Sequence, residues 1–485
     1  MNHMALSWDD LSILVPLLGA LVVSRTPDHD RSRKWAVAMT ALTLIITGCA
    51  WWQFQIRDAA AHTGWTHIVS RWIGRDVFVI DQLSAPLLPL IALLFLLTTL
   101  TTLRTKMRRF SFAGTLFSEA ILLATFSCQD PWILIGLLAL GTIPPALELR
   151  ARGRSIRIYV LHMGLFVGLL VLGQTSVVAE GSGRMHSLWA IVPLLTAILV
   201  RSGVAPFHCW ITDLFEHAAL GSALLYVAPL AGAYAAVRLV LPIAPDWVLR
   251  SMGLLSLATA VYASGMALIQ RDARRFFCYL FLSNSALVLV GLEVVSPLGL
   301  TGALCVWMSL TLSMGGFGLT MRALESRLGR LSLTDFQGLY EHTPNLALCF
   351  MLTGLASVGF PGTFGFVGTE LLVDGAVEAY LSVGVAVVVA AALNGIAVVK
   401  AYFLLFTGTR HVSSVSLRIH VRERYAVLAV AAMILIGGFI PQPGVASRHR
   451  AADELLEVRL QLTDGYIPIA NVADDLPASN ESGPG

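Results

Sequence analysis

Residues 200–225 read VRSGVAPFHCWITDLFEHAALGSALL. Arg201, His208, Asp213, Glu216 and His217 sit there between apolar runs, with Pro206 among them. Charged groups at bilayer depth are costly and mark ion paths or water-filled cavities. The surrounding chain decides whether this stretch lies in a bilayer. Of 485 residues, 56% are hydrophobic and only 13% are charged. A soluble domain carries about 25% charged residues. The sequence therefore reads as an all-α, polytopic membrane helix bundle.

Several chemistries have no support. The six cysteines (49, 128, 209, 278, 305 and 349) are scattered and form no CxxC pair, so no zinc or iron–sulfur spacing is present. The three lysines, Lys34, Lys106 and Lys400, do not follow a glycine, which removes the GxxxxGK phosphate loop. No GxGxxG occurs either. The expectation is no cofactor, no metal and no nucleic-acid partner. Residues 11–25 read as a first membrane helix and not as a removed signal peptide, since no basic segment precedes them.

A spanning helix needs about 20 apolar residues. Candidate spans fall near 10–25, 36–56, 80–103, 111–127, 131–149, 157–178, 187–205, 207–242 (broken or doubled), 248–269, 276–296, 298–321, 343–378 (broken), 382–407 and 424–441. Counting 207–242 once gives about fourteen. Basic clusters follow the odd-numbered spans: Arg31, Arg33 and Lys34; Arg104, Lys106, Arg108 and Arg109; Arg150, Arg152, Arg154 and Arg157; Arg271, Arg274 and Arg275; Arg322, Arg327 and Arg330; Arg410, Arg418, Arg422 and Arg424. Short loops rich in Lys and Arg stay cytoplasmic, which puts both termini on the outer side of the cell inner membrane. Residues 442–485 are polar and read as a disordered or peripheral tail.

Several stretches together resemble one family: the antiporter-like membrane subunits of respiratory complex I, of Mrp-type cation/proton antiporters and of membrane-bound hydrogenases. They are FVIDQLS (78–84), the opening stretch at 200–225, RDARRFFCYLFLSNSALVLVGL (271–292), DFQGLYEHTPNLALCFMLTGLASVGFPGTFGFVGTELL (335–372) and LNGIAVVKAYFLLFTG (393–408). The resemblance implies two inverted five-helix repeats, each with a helix broken at mid-membrane, and a row of buried Glu, Lys and His linking two half-channels. The breaks fall at Pro206 and at Pro361-Gly362. The division that follows is 1–110, N-terminal helices; 111–242, first repeat; 243–410, second repeat; 411–441, C-terminal helix; and 442–485, tail.

The sequence also departs from that pattern. Where the family carries a glutamate on its fifth helix, this chain has Ala139; Glu148 lies nine residues later, near Arg150, as a surface ion pair. The family's seventh-helix lysine aligns with Arg201. A buried lysine can release its proton, whereas an arginine stays charged. Arg201 is thus a fixed charge or a structural anchor. Residues 218–237 hold no ionisable group except Tyr226 and Tyr234, and residues 301–320 hold no His, Lys, Asp or Glu. The ion-path candidates are Arg201, His208, Asp213, Glu370, Asp374, Lys400 and Glu119. Glu370 and Asp374 share one helical face at i, i+4, with Thr369 in the place of the family's acid. Lys400 matches a basic residue of the family, and Glu119 is a buried acid without a family counterpart.

The resemblance implies an ion-translocating subunit of a larger complex, moving protons or another monovalent cation. The missing carriers leave open a scaffold that has lost conduction. One such scaffold is the membrane subunit of a two-component inorganic-carbon uptake system, paired with a peripheral zinc protein. An independent solute carrier is a third reading.

Overall fold

A computed structural model describes residues 8–57, 77–103, 110–181, 186–409 and 421–464. Among them the architecture is helical throughout, with only two isolated bridges, Phe78 to Cys128 and Asp272 to Ser332. The helices are α1 (Trp8–Ser24), α2 (His29–Arg57), α3 (Leu87–Leu100), α4 (Phe112–Ser127), α5 (Pro131–Gly141), α6 (Ile143–Ala151), α7 (Arg157–Glu180), α8 (Leu188–Ser202), α9 (Cys209–His217) and α10 (Leu220–Val227). They continue as α11 (Ala231–Ala235, running into a π-turn at Ala236–Val240), α12 (Asp246–Ile269), α13 (Ala273–Glu293), α14 (Pro297–Leu328), α15 (Pro344–Ser357), α16 (Phe364–Ala379), α17 (Leu381–Phe406), α18 (Val421–Phe439) and α19 (Gln442–Asp464).

Eight of the described helices are long and apolar enough to cross a membrane, or nine with the bent pair α18–α19. Five shorter apolar helices of 10–17 residues coincide with expected spans: Asp10–Ser24, Leu87–Leu100, Phe112–Ser127, Leu188–Ser202 and Pro344–Ser357. At 1.5 Å per residue such helices fall short of a hydrocarbon core about 30 Å thick. Helix starts are set locally. Asp130 accepts from the N–H groups of Trp132 (2.9 Å) and Ile133 (3.0 Å), with Pro131 in the first turn. Asp272 caps α13 through Arg274 and Arg275, and Ser296 caps α14 through Gly299. Each cap satisfies amide groups that a helix start leaves unpaired.

Both expected breaks are present. α8 ends at Gly203, in the left-handed region at φ 68°, and the chain resumes as α9 after the turn at Pro206. α15 and α16 are separated by 358–363, where Gly359 and Gly362 have φ 79° and 85°. A further interruption at Leu230 (φ 56°) separates α10 from α11. Together α10, α11 and the π-turn form an almost wholly buried strut beside α14.

α14 and α16 meet backbone to backbone. A Cβ on Gly302 would lie 2.4 Å from the Leu372 nitrogen, and one on Gly375 would lie 2.5 Å from the Gly299 Cα. Close approach of this kind is how membrane helices associate without a hydrophobic drive. We expect Gly302→Ala to destabilise the protein by about 1–3 kcal/mol through overpacking. Gly136→Ala, where nothing lies within 4 Å, should be neutral. Thermal unfolding in detergent distinguishes the two.

Residues 442–464 correct the expectation of a disordered tail; residues 465–485 lie outside the described residues. α19 turns 77° from α18 and packs on α14. Arg448, Ala451, Ala452, Leu455 and Arg459 are its buried face. Arg448 donates to the carbonyls of Leu83 (3.0 Å) and Gln82 (2.6 Å). Arg459 donates to the Leu241 carbonyl and to Asp246 (2.6 Å). Low overall apolarity hid a stripe at helical spacing. Arg448→Ala should leave two buried carbonyls unpaired, at about 1–3 kcal/mol each, and raise amide exchange across α19 before the rest of the bundle.

Candidate functional site

A cavity of ≈ 980 Å³ opens between the end of α1, α4, α5–α6 and α9–α10. Its rim carries His29, Arg152, Arg154 and His217, and Arg201 lines its interior. A second cavity of ≈ 380 Å³ adjoins it and shares Arg152, Arg154 and His217, adding Glu216, Arg274 and Arg330. The basic segments after α6, α12 and α14 thus converge with the end of α9 on one face, here called the arginine-rich face.

Arg201 sits one turn before the break that ends α8 and is 5% exposed. Its Nη2 donates to the Tyr226 carbonyl at 3.1 Å. The guanidinium lies over the rings of Tyr226 (4.2 Å) and Trp210 (5.5 Å). Trp210 is fixed in turn by donating from Nε1 to the Val200 carbonyl at 2.8 Å. Among the described residues no carboxylate lies within ion-pairing distance of Arg201. Ring faces offset part of the desolvation cost, by about 0.5–2 kcal/mol per contact.

Glu119 lies on α4, fully buried. Neither carboxyl oxygen has a hydrogen-bond partner among the described residues. Thr115 and Leu122, its i−4 and i+3 neighbours, both line the cavity, as does Ser118. At 100° per residue these positions put Glu119 at the edge of the cavity-facing stripe. Glu148 pairs with Arg152, not with Arg150, at 3.0 Å. The same oxygen accepts the Ala219 N–H at 2.8 Å, so Glu148 also holds the join between α9 and α10.

The remaining candidates separate. Asp213 pairs with His217 at 3.0 Å near the cavity rim, and its Oδ2 is buried without a partner. His208 is half-buried and does not line the cavity; it packs against the rings of Tyr262 (5.5 Å) and Tyr279 (6.2 Å) on the perimeter. Glu370 and Asp374 do share a face of α16, but both are exposed. Lys400 donates to the Leu268 carbonyl at 2.9 Å, with no link to either acid. At the arginine-rich face, hydrogen bonds from Arg275 hold the Glu216 carboxyl below the usual carboxylate range. That latch is complete at neutral pH and opens only as pH falls into the acid range.

Sequence reading passed over the buried ion pairs. Arg238, on the π-turn, pairs with Asp81 of the FVIDQLS stretch, and Asp81 also accepts from the Ser84 N–H (2.9 Å) and Oγ (2.8 Å). Tyr234 donates beside them to the carbonyls of Phe126 (3.0 Å) and Cys128 (3.1 Å). Arg274 pairs with Glu325 (2.7 Å), and Arg327 with Glu423. Partners this far apart in sequence give no local signal. No group of three or more His, Cys, Asp or Glu placed to hold a metal occurs among the described residues.

Residues 160–394 match the family model described as NADH:quinone oxidoreductase/Mrp antiporter, transmembrane. NADH-quinone oxidoreductase subunit M of Rickettsia typhi is 25% identical over 274 residues, 54% of this chain and 55% of that protein. The chain therefore spans about half the length of that relative. NAD(P)H-quinone oxidoreductase chain 4 of Synechococcus elongatus is 26% identical over 472 residues, 89% of this chain and 88% of that one. Among solved structures, a chain of the Mrp complex from Dietzia sp. superposes with a TM-score of 0.81 at 17% identity, over 94% of this chain and 98% of that one.

Proposed function

We propose that this chain, residues 160–394 of which match the family model described as NADH:quinone oxidoreductase/Mrp antiporter, is an antiporter-like membrane subunit that carries protons or another monovalent cation across the membrane within a larger complex of the quinone oxidoreductase/Mrp type. One observation carries this reading: a cavity runs from the arginine-rich face to Arg201 at the broken helix, and Glu119, a buried acid without a hydrogen-bond partner among the described residues, lies on α4 next to the lining residue Ser118 and one turn from the lining residues Thr115 and Leu122. Broken helices with interior ionisable groups are the usual architecture of ion paths. In this account Glu119 on α4 takes the role left empty at Ala139 on α5. A carboxyl with no fixed hydrogen bond can take up and release a proton without dismantling a network. Arg201 is the fixed charge that orders water beside it, and Asp213–His217 passes protons at the rim.

The same reading takes the five shorter apolar helices as spans. It arranges about fourteen spans as two inverted repeats and turns the arginine-rich face to the cytoplasm. Glu370 and Asp374 then lie within the membrane on the outer surface of α16, where carboxylates facing lipid would be costly. A neighbouring membrane subunit covering that face fits the observation and the assemblies in which the relatives are found.

The test is co-reconstitution with the membrane subunits that copurify with this chain, read with a pH-sensitive dye. Transport should fall about a hundredfold in Glu119→Gln and be little changed by Glu148→Gln. Equal rates in wild type and Glu119→Gln would remove this path.

A further inference from the structure

We propose that the large cavity binds a small monovalent inorganic anion, with Arg201 as its main ligand. The lining carries three arginines, Arg152, Arg154 and Arg201, against one glutamate, Glu148. That glutamate is already engaged by Arg152 and by the Ala219 N–H. Arg201 is buried and has no carboxylate partner within ion-pairing distance among the described residues. One Nη is held by the Tyr226 carbonyl. The two aromatic rings cover the guanidinium face, and the rest of its N–H edge opens onto the cavity. A guanidinium cannot discharge itself by losing its proton, and an uncompensated buried charge costs several kcal/mol. Among the described residues no carboxylate within ion-pairing distance supplies the counter-charge, which leaves that place to an ion from outside the chain.

The geometry selects the class of ligand. A planar fork of donors suits a halide or a small planar oxyanion. The approach has a net basic lining: Arg152, Arg154, Arg274 and Arg330 stand there against the single acid Glu216, although Arg152 and Arg274 are already paired with Glu148 and Glu325. A net positive cleft concentrates anions. A cavity of ≈ 980 Å³ lets such an anion keep most of its water, so only its contact with Arg201 must be dry. The site stands on the cavity alone, and it holds whether or not ions cross at Glu119.

The experiment is equilibrium binding of radiolabelled chloride to the purified full chain in detergent, with gluconate replacing other anions. Wild type and Glu119→Gln should each show one saturable site per chain. Arg201→Gln should lose it and Arg201→Lys should retain it. Arg154→Gln, an exposed rim position whose change leaves the fold alone, should weaken binding about threefold, as loss of a steering charge does. No saturable site in wild type, or an unchanged site in Arg201→Gln, would overturn the proposal. So would native mass spectrometry showing an anionic phospholipid held in wild type and lost in Arg201→Gln, because the counter-charge would then be a lipid headgroup.

Discussion

Glu119→Gln should lower proton movement by about a hundredfold, the scale on which one positioned proton carrier contributes, while the protein folds normally. The two halves of that expectation have separate causes. Glutamine has the shape of glutamate but no exchangeable acid proton, so a path through position 119 closes. Stability should hold, because neither Glu119 oxygen makes a hydrogen bond among the described residues, and replacing an unpaired carboxyl breaks nothing. Glu370→Gln is the informative contrast. Its side chain is exposed on α16, a helix that contributes no residue to the cavity lining, so it should change transport less than Glu119→Gln does. Any defect there should appear as weaker assembly with neighbouring subunits, visible in the complex recovered on native gels. Co-reconstituted vesicles carrying each variant, matched for protein content, give the comparison directly.

Asp81→Ala should be among the most destabilising single changes in the chain. Asp81 balances the buried Arg238 and accepts from Ser84 twice, and Gln129 reaches it at 3.4 Å. Removing the acid leaves a guanidinium buried without its counter-charge, which costs about 3–5 kcal/mol. The effect should spread, since Arg238 leaves the strut that continues into α12, and Arg448 of α19 is anchored on the neighbouring carbonyls of Gln82 and Leu83. Asp81→Ala with Arg238→Met should recover much of the loss, because the isolated charge is then gone. Thermal unfolding of the two single variants and the double variant measures the coupling.

Much of the architecture could be read from the chain because its signals are local. Continuous apolar runs gave helices, and Pro206 and Pro361-Gly362 gave the two interruptions. α19 escaped because its composition is polar overall. Its buried stripe of Arg448, Ala451, Ala452, Leu455 and Arg459 shows at helical spacing but not in an average. At the site, the cost of burying charge singled out Arg201 and Glu119 correctly as interior groups. Helical periodicity placed Glu370 and Asp374 on one face but could not say which way that face turned. The cavity itself was beyond reach, since its walls come from α1, α2, α4, α5, α6, α8, α9, α10 and α11. The Asp81–Arg238 pair, 157 residues apart in sequence, needed the assembled bundle for the same reason.

The central claim is that water from the arginine-rich face reaches the broken helix beside Glu119. Ser118→Cys tests it most directly, because Ser118 lines the cavity and precedes Glu119. In oriented membrane vesicles, with the native cysteines replaced by alanine or serine, a small membrane-impermeant thiol reagent should modify this cysteine from the arginine-rich face and not from the other. A cysteine at 118 that stays unmodified from that face, while one at the rim position 154 reacts readily, would contradict the account.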